Sequence, residues 1–171
     1  EKHIGKLLHG IYNQNYIDFE VILVDSGSTD GTLELAKEYP IDDIVYIPPQ
    51  EFSFGRALNR GIANASGDYC VFASAHVYPK RNDWLIRLVE KFEEDIALVY
   101  GKQRGNDQTK FPEKQIFRRW FPDYDRERQR TPFCSNANCA IRRSVWEEFR
   151  YDEELPGLED LDWAKGVRDA G

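Results

Sequence analysis

A chain of 171 residues, 41% hydrophobic, 31% charged and 13% aromatic, is long enough for one globular domain with its own core and too apolar to be disordered or fibrous. Thirty acidic residues against twenty-three basic ones leave a net charge of −7, which argues against nucleic acid as a partner and against binding anionic lipid with the whole surface. No apolar run approaches the roughly 18 residues that cross a bilayer, Glu1, Lys2 and His3 do not begin a signal peptide, and Cys70, Cys134 and Cys139 are an odd set without CxxC spacing, so a reducing, cytoplasmic setting fits best.

Ile4, Leu7, Leu8, Ile11 and Tyr12 recur on one face of a helix from the first residues onward. Residues 20–24 are a short, β-branched run that breaks into Asp25, Ser26, Gly27 and Ser28, the pattern of a buried strand meeting a loop. Asp30 is placed to cap a helix carrying Leu33, Leu35, Ala36 and Tyr39, and residues 44–47 form a second strand closed by Pro48 and Pro49. Ser53 opens a helix with Phe54, Ala57, Leu58, Ile62 and Ala65 on one side. A third strand over 69–73, a helix from about Asp83 and a fourth strand over 97–100 follow. Strands alternating with helices predict an α/β fold with a mostly parallel sheet.

The pattern changes in a basic insert over residues 102–131, where nine cations stand against five carboxylates, +4 in a chain of −7. Ile116, Phe117, Trp120 and Phe121 predict a short amphipathic helix inside it, and the rest reads as a mobile basic flap beside the site. A strand over 138–141, a helix from a Ser144 cap to Phe149 and a helix over 160–170 complete one domain, 1–171. The chain opens inside a helix and stops at Gly171, where a helix would be capped and continue. The expectation is a piece of a longer protein with another strand ahead of Glu1, and a sheet edge left free to pair with a second copy.

Sites in such folds gather at the carboxyl ends of strands. There stand Asp25-Ser26-Gly27-Ser28-Thr29-Asp30-Gly31 and Ser74-Ala75-His76. Neither GxGxxG nor a P-loop occurs, so dinucleotide and ATP-hydrolysis readings lose their main support. Taken alone, the first turn is equally a loop that needs a glycine and a helix cap.

Five segments in order carry a resemblance: VILVDSGSTDGT, FSFGRALNRGIANASGDY, VFASAHVYP, SNANCAIRRSVWEEF and GLEDLDWAKGVRDAG. Together they resemble the family 2 glycosyltransferases, which implies a GT-A type three-layer αβα sandwich and transfer of a sugar from a nucleotide-diphospho-sugar donor to a glycan or lipid-linked acceptor. By that resemblance Asp25 and Ser26 would meet the nucleotide base, Arg56 the nucleotide or its phosphates, and Ser74 and Ala75 the donor. The family's Asp-x-Asp metal signature is replaced here by Ser74-Ala75-His76. His76 then becomes the ligand of a divalent cation, and an imidazole suits Mn2+ better than Mg2+. Glu159 and Asp160 correspond to the acceptor-side acidic pair, with Asp160 the general base of an inverting transfer and Glu159 orienting donor or acceptor. Asn136, Asn138 and Trp163 would line the acceptor side. A full-length protein of this kind could sit at the inner face of the membrane. A catalytically silent nucleotide- or partner-binding domain is the alternative, and the acidic first turn of an ordinary helix is the plain reading of Glu159 and Asp160.

Overall fold

The structure, a computed structural model, describes residues 3–171. Residues Glu1 and Lys2, and the strand expected ahead of them, lie outside the described residues. Helix α1 (Ile4–Tyr12) buries Ile4, Leu7 and Leu8, the stripe its spacing predicts, and each such side chain contributes about 2 kcal/mol on burial. Strand β1 (Ile22–Asp25) pairs in parallel with β2 (Asp43–Tyr46), setting Asp25 opposite Tyr46. Helix α2 (Thr32–Ala36) joins them and packs on α1. Its cap lies at Gly31, and Asp30 serves one residue earlier, accepting from Thr32 N at 3.2 Å.

A 3-10 turn (Pro49–Glu51) leads to α3 (Phe54–Asn64), where Ser53 Oγ accepts from Arg56 N at 3.1 Å as the expected cap. Then come β3 (Tyr69–Ala73), α4 (Trp84–Val89), β4 (Leu98–Tyr100), α5 (Phe111–Trp120), β5 (Asn138–Arg142), α6 (Arg143–Glu148) and α7 (Glu159–Ala170). The α/β character is as expected, but the mostly parallel pairing is corrected in the second sheet. There β5 lies between β3 and β4 and runs antiparallel to both. The long insert before β5 frees it from the helix crossover that forces neighbours to run parallel. Between β1 and β3 no strand pairing joins the two sheets among the described residues.

Two further expectations change. The backbone of α6 starts at Arg143 with no side-chain cap, so Ser144 is inside the helix. The basic insert is anchored: α5 has no buried residue, yet Trp120 stacks on Phe133 at 4.8 Å and the buried Phe121 packs edge-on to Tyr100 and Phe133. Lys102 and Arg104 both reach Asp123 at 2.8 Å, and Arg128 pairs with Asp95.

The larger core lies under the second sheet, with Ile62, Cys70, Cys139, Ile141, Trp146, Tyr151 and Trp163 buried together. The smaller core joins α1 and α2 to Val21, Leu23 and Ala73. No helix among the described residues is long and apolar enough to cross a membrane.

Candidate active site

The first group of candidate residues stands where β1 stops. Asp25, 5% exposed, accepts from Gly27 N at 2.9 Å through Oδ2 and from Ser28 N at 3.2 Å through both oxygens. Gly27 has φ +95, and a Cβ there would lie 2.6 Å from Pro49 Cγ, so only glycine fits this turn. The carboxylate thus shapes its own loop and keeps Oδ1 lightly used, while Ser26 beside it is exposed. The loop-cap reading of Asp25 is met by these bonds.

Arg56, expected to meet the donor, makes contacts within the chain. Its Nε donates to Glu153 Oε2 at 2.8 Å and its Nη1 to the Glu51 carbonyl at 2.6 Å. Glu153 in turn is held below the usual carboxylate range, first by Arg56 and then by Asn59. Here the arginine ties the chain after α6 to α3.

At the end of β3, Ser74 Oγ lies 2.9 Å from His76 Nδ1. With Nδ1 occupied, the outer nitrogen of this exposed imidazole is the one left for a ligand. No group of three His, Cys, Asp or Glu side chains able to hold a metal occurs among the described residues. A single imidazole fits a cation that arrives with a diphosphate and takes most of its ligands from it, and does not make a protein cage. Ala75 is exposed between the two. His76, Trp84, Tyr100, Lys102, Asn138 and Trp163 contribute to the walls of one broad cleft of about 1760 Å³, which Asp25, Arg56, Glu159 and Asp160 do not line.

The acidic pair opens α7. Leu158, just before it, is exposed and held in the left-handed region at φ 63. Glu159 is 8% exposed and accepts from Asn136 Nδ2 at 3.4 Å. Burial pushes its carboxyl up, its own backbone N–H opposes this, and the charge of Asp160 adds to the rise. Asp160 is less buried, accepts from Leu161 N at 2.8 Å, and has its main-chain oxygen fixed by Cys134 Sγ at 3.2 Å. Three carboxylates, Glu159, Asp160 and Asp162, stand in the first turn, where the helix dipole favours them.

Asn136 meets the acidic pair through Glu159. Asn138 does not: its Oδ1 accepts from Trp84 Nε1 at 2.8 Å and its Nδ2 points to Lys102 O at 3.3 Å, which joins β5 to α4 and β4. Trp163, expected on the acceptor side, sits mostly in the core and also contributes to the cleft wall. It is 4% exposed, donates from Nε1 to Phe149 O at 2.6 Å and stacks on Tyr151. Sequence reasoning missed Asn59, a buried amide on α3 that binds Trp146, Tyr151 and Glu153.

Comparison with known proteins extends this picture. O-antigen chain rhamnosyltransferase WbaN of Salmonella anatum is 28% identical over 178 residues, covering 95% of this chain and 55% of its own. Mannosyltransferase PcManGT of Pyrobaculum calidifontis, solved with GDP-Man and Mn2+, superposes with TM-score 0.72 at 23% identity, over 97% of this chain and 48% of its own. S. aureus TarS in complex with UDP gives TM-score 0.74 at 19% identity, over 97% and 51%. The chain thus has the GT-A fold and spans about half the length of these relatives. Residues 1–150 match the model of glycosyl transferase family 2, and the chain belongs to that family.

Proposed function

We propose that this chain is the catalytic part of an inverting glycosyltransferase that moves a sugar from a nucleotide-diphospho-sugar to a hydroxyl of a glycan or lipid-linked acceptor. The observation that carries the reading is the acidic pair at the start of α7, one carboxylate buried and hydrogen-bonded by Asn136, its neighbour more open. The family and the GDP-Man and UDP bound by its structural relatives support the donor class.

Asp160 takes the proton of the acceptor hydroxyl as that oxygen bonds to the anomeric carbon. The bond from that carbon to the diphosphate oxygen breaks on the opposite face, and the nucleoside diphosphate leaves with the electron pair. Glu159, fixed by Asn136, orients a sugar hydroxyl beside the base. Asp25 accepts an N–H of the nucleotide base at the far end of the donor. His76 would hold a divalent cation, Mn2+ in preference to Mg2+, whose chemistry is to neutralise the departing diphosphate.

The test is Asp160→Asn in the intact protein. Turnover should fall by roughly 10²-fold or more, the scale of losing a positioned base, with donor affinity unchanged. Near-normal transfer by both Asp160→Asn and Glu159→Gln would remove the catalytic reading of the pair.

A further inference from the structure

Asn59 lies on the inner face of α3, 8% exposed, and its side-chain amide is saturated. Oδ1 accepts from Trp146 Nε1 at 2.9 Å and from Tyr151 N at 3.1 Å. Nδ2 donates to Tyr151 O at 2.9 Å and to Glu153 Oε1 at 3.0 Å. One amide therefore grips both main-chain groups of Tyr151, as a neighbouring strand would, and no other side chain except the longer Gln offers that donor and acceptor pair.

Two more contacts bring the same segment onto the first turn of α3. Glu153 also receives Arg56 Nε at 2.8 Å. At Gly55, a Cβ would lie 2.1 Å from Asp152 O, so residues 151–153 rest directly on the helix backbone. The segment is fastened to α7 in turn: the Tyr151 ring stacks on Trp163 at 5.3 Å and 22°, and Trp163 Nε1 holds Phe149 O. At this same N-terminal end α3 follows the turn of Pro49, which packs against Gly27 in the loop shaped by Asp25. A continuous set of contacts thus runs from the nucleotide loop through α3 to the helix that opens with Glu159 and Asp160.

We infer that Asn59 is a positioning residue, which by holding Tyr151 and Glu153 against α3 sets the placement of the acidic pair relative to the nucleotide end of the site. The inference rests on the glycosyltransferase reading above. A displacement of about 1 Å in a reacting group can cost about 10²-fold in rate, far more than it costs in ground-state binding. A merely structural clamp would instead lower thermal stability and weaken donor binding and turnover together.

Asn59→Asp keeps size and the two bonds to Oδ1, removes both donations, and sets a carboxylate against Glu153. Measured in the intact protein, with whichever of UDP-glucose, GDP-mannose and dTDP-rhamnose it turns over, kcat should fall by about 10²-fold while the donor Kd holds. Adding Glu153→Gln reverses the direction of that contact, so the double variant should regain about tenfold. Wild-type kcat in Asn59→Asp, or a loss matched by an equal loss of donor affinity, overturns the inference. Should Asn59→Asp fail to fold, Glu153→Ala decides: a lowered kcat at unchanged Tm supports the role and a wild-type kcat ends it. Asp160→Asn in the same assay separates the two levels. If it too is fully active, the site reading itself has failed; if it is inactive while Asn59→Asp is normal, only the positioning role has.

Discussion

Asn136 Nδ2 stands 3.4 Å from Glu159 Oε1, a side-chain to side-chain hydrogen bond that, beside the bond from Cys134 Sγ to Asp160 O, joins the turn before β5 to the acidic start of α7. The bond is long, and it serves a carboxylate that burial already pushes above its ordinary value of 4.5. Folding therefore takes up a proton at Glu159 in the window just above that value, and the stability this confers is lost as pH rises through the raised pKa. Glu159→Gln is expected to be more stable than the unmutated protein above the window, with the difference vanishing below about pH 4. Urea midpoints across pH test it; a midpoint difference constant with pH would show that the carboxyl is not strained by burial.

His76 has a hydroxyl partner on one ring nitrogen and solvent at the other. His76→Ala should leave the fold intact and weaken binding of a nucleotide-sugar by about tenfold in Mn2+, with little change in chelator. Equal donor affinity in chelator and in Mn2+ for the unmutated protein would make His76 a direct phosphate or sugar contact.

Much of this architecture was legible locally. The apolar stripe of α1, the Ser53 cap of α3 and the β-branched run of β1 each contain their own cause within a few residues. The place of β5 was not, because its neighbours, Tyr69–Ala73 and Leu98–Tyr100, are separated from it by the whole insert and no local signal encodes strand order. Asn59 shows the same limit for the site. A polar residue on a helix reads as a solvated face, and its partners Trp146 and Tyr151 lie 87 and 92 positions away. Trp163 shows how little residue type alone decides, since an aromatic beside an acidic motif suits a sugar as well as it suits a core. The acidic pair itself, by contrast, was marked by its type and its place at a helix start.

Arg118 and Arg119 are exposed on α5, and neither is ion-paired among the described residues. They belong to the +4 insert of an otherwise acidic chain. Reversing both to Glu should lower kcat/KM severalfold at low ionic strength and leave it near normal at high salt, because screening removes attraction for a phosphate-bearing substrate beyond about 10 Å. No change at either salt would reduce the insert to a solvated helix.

Leu158 offers the most direct test of how the backbone aims the acidic pair. It is 72% exposed, so its side chain returns little burial energy for a left-handed conformation that costs an L-residue about 1 kcal/mol or more. Strain of this kind persists where the surroundings over-determine a geometry. Leu158→Gly removes the strain but adds a similar entropy to the unfolded chain, so stability should move by no more than about 1 kcal/mol in either direction. Leu158→Asn also relieves the strain, since asparagine tolerates this region, but leaves the backbone restricted. If the turn's stiffness is what aims Asp160, turnover should drop in Leu158→Gly and be kept in Leu158→Asn, with donor affinity constant in both. Equal losses in the two variants would mean that the leucine side chain itself meets the acceptor, and equal retention would mean that α7 is aimed by its packing on Tyr151 alone.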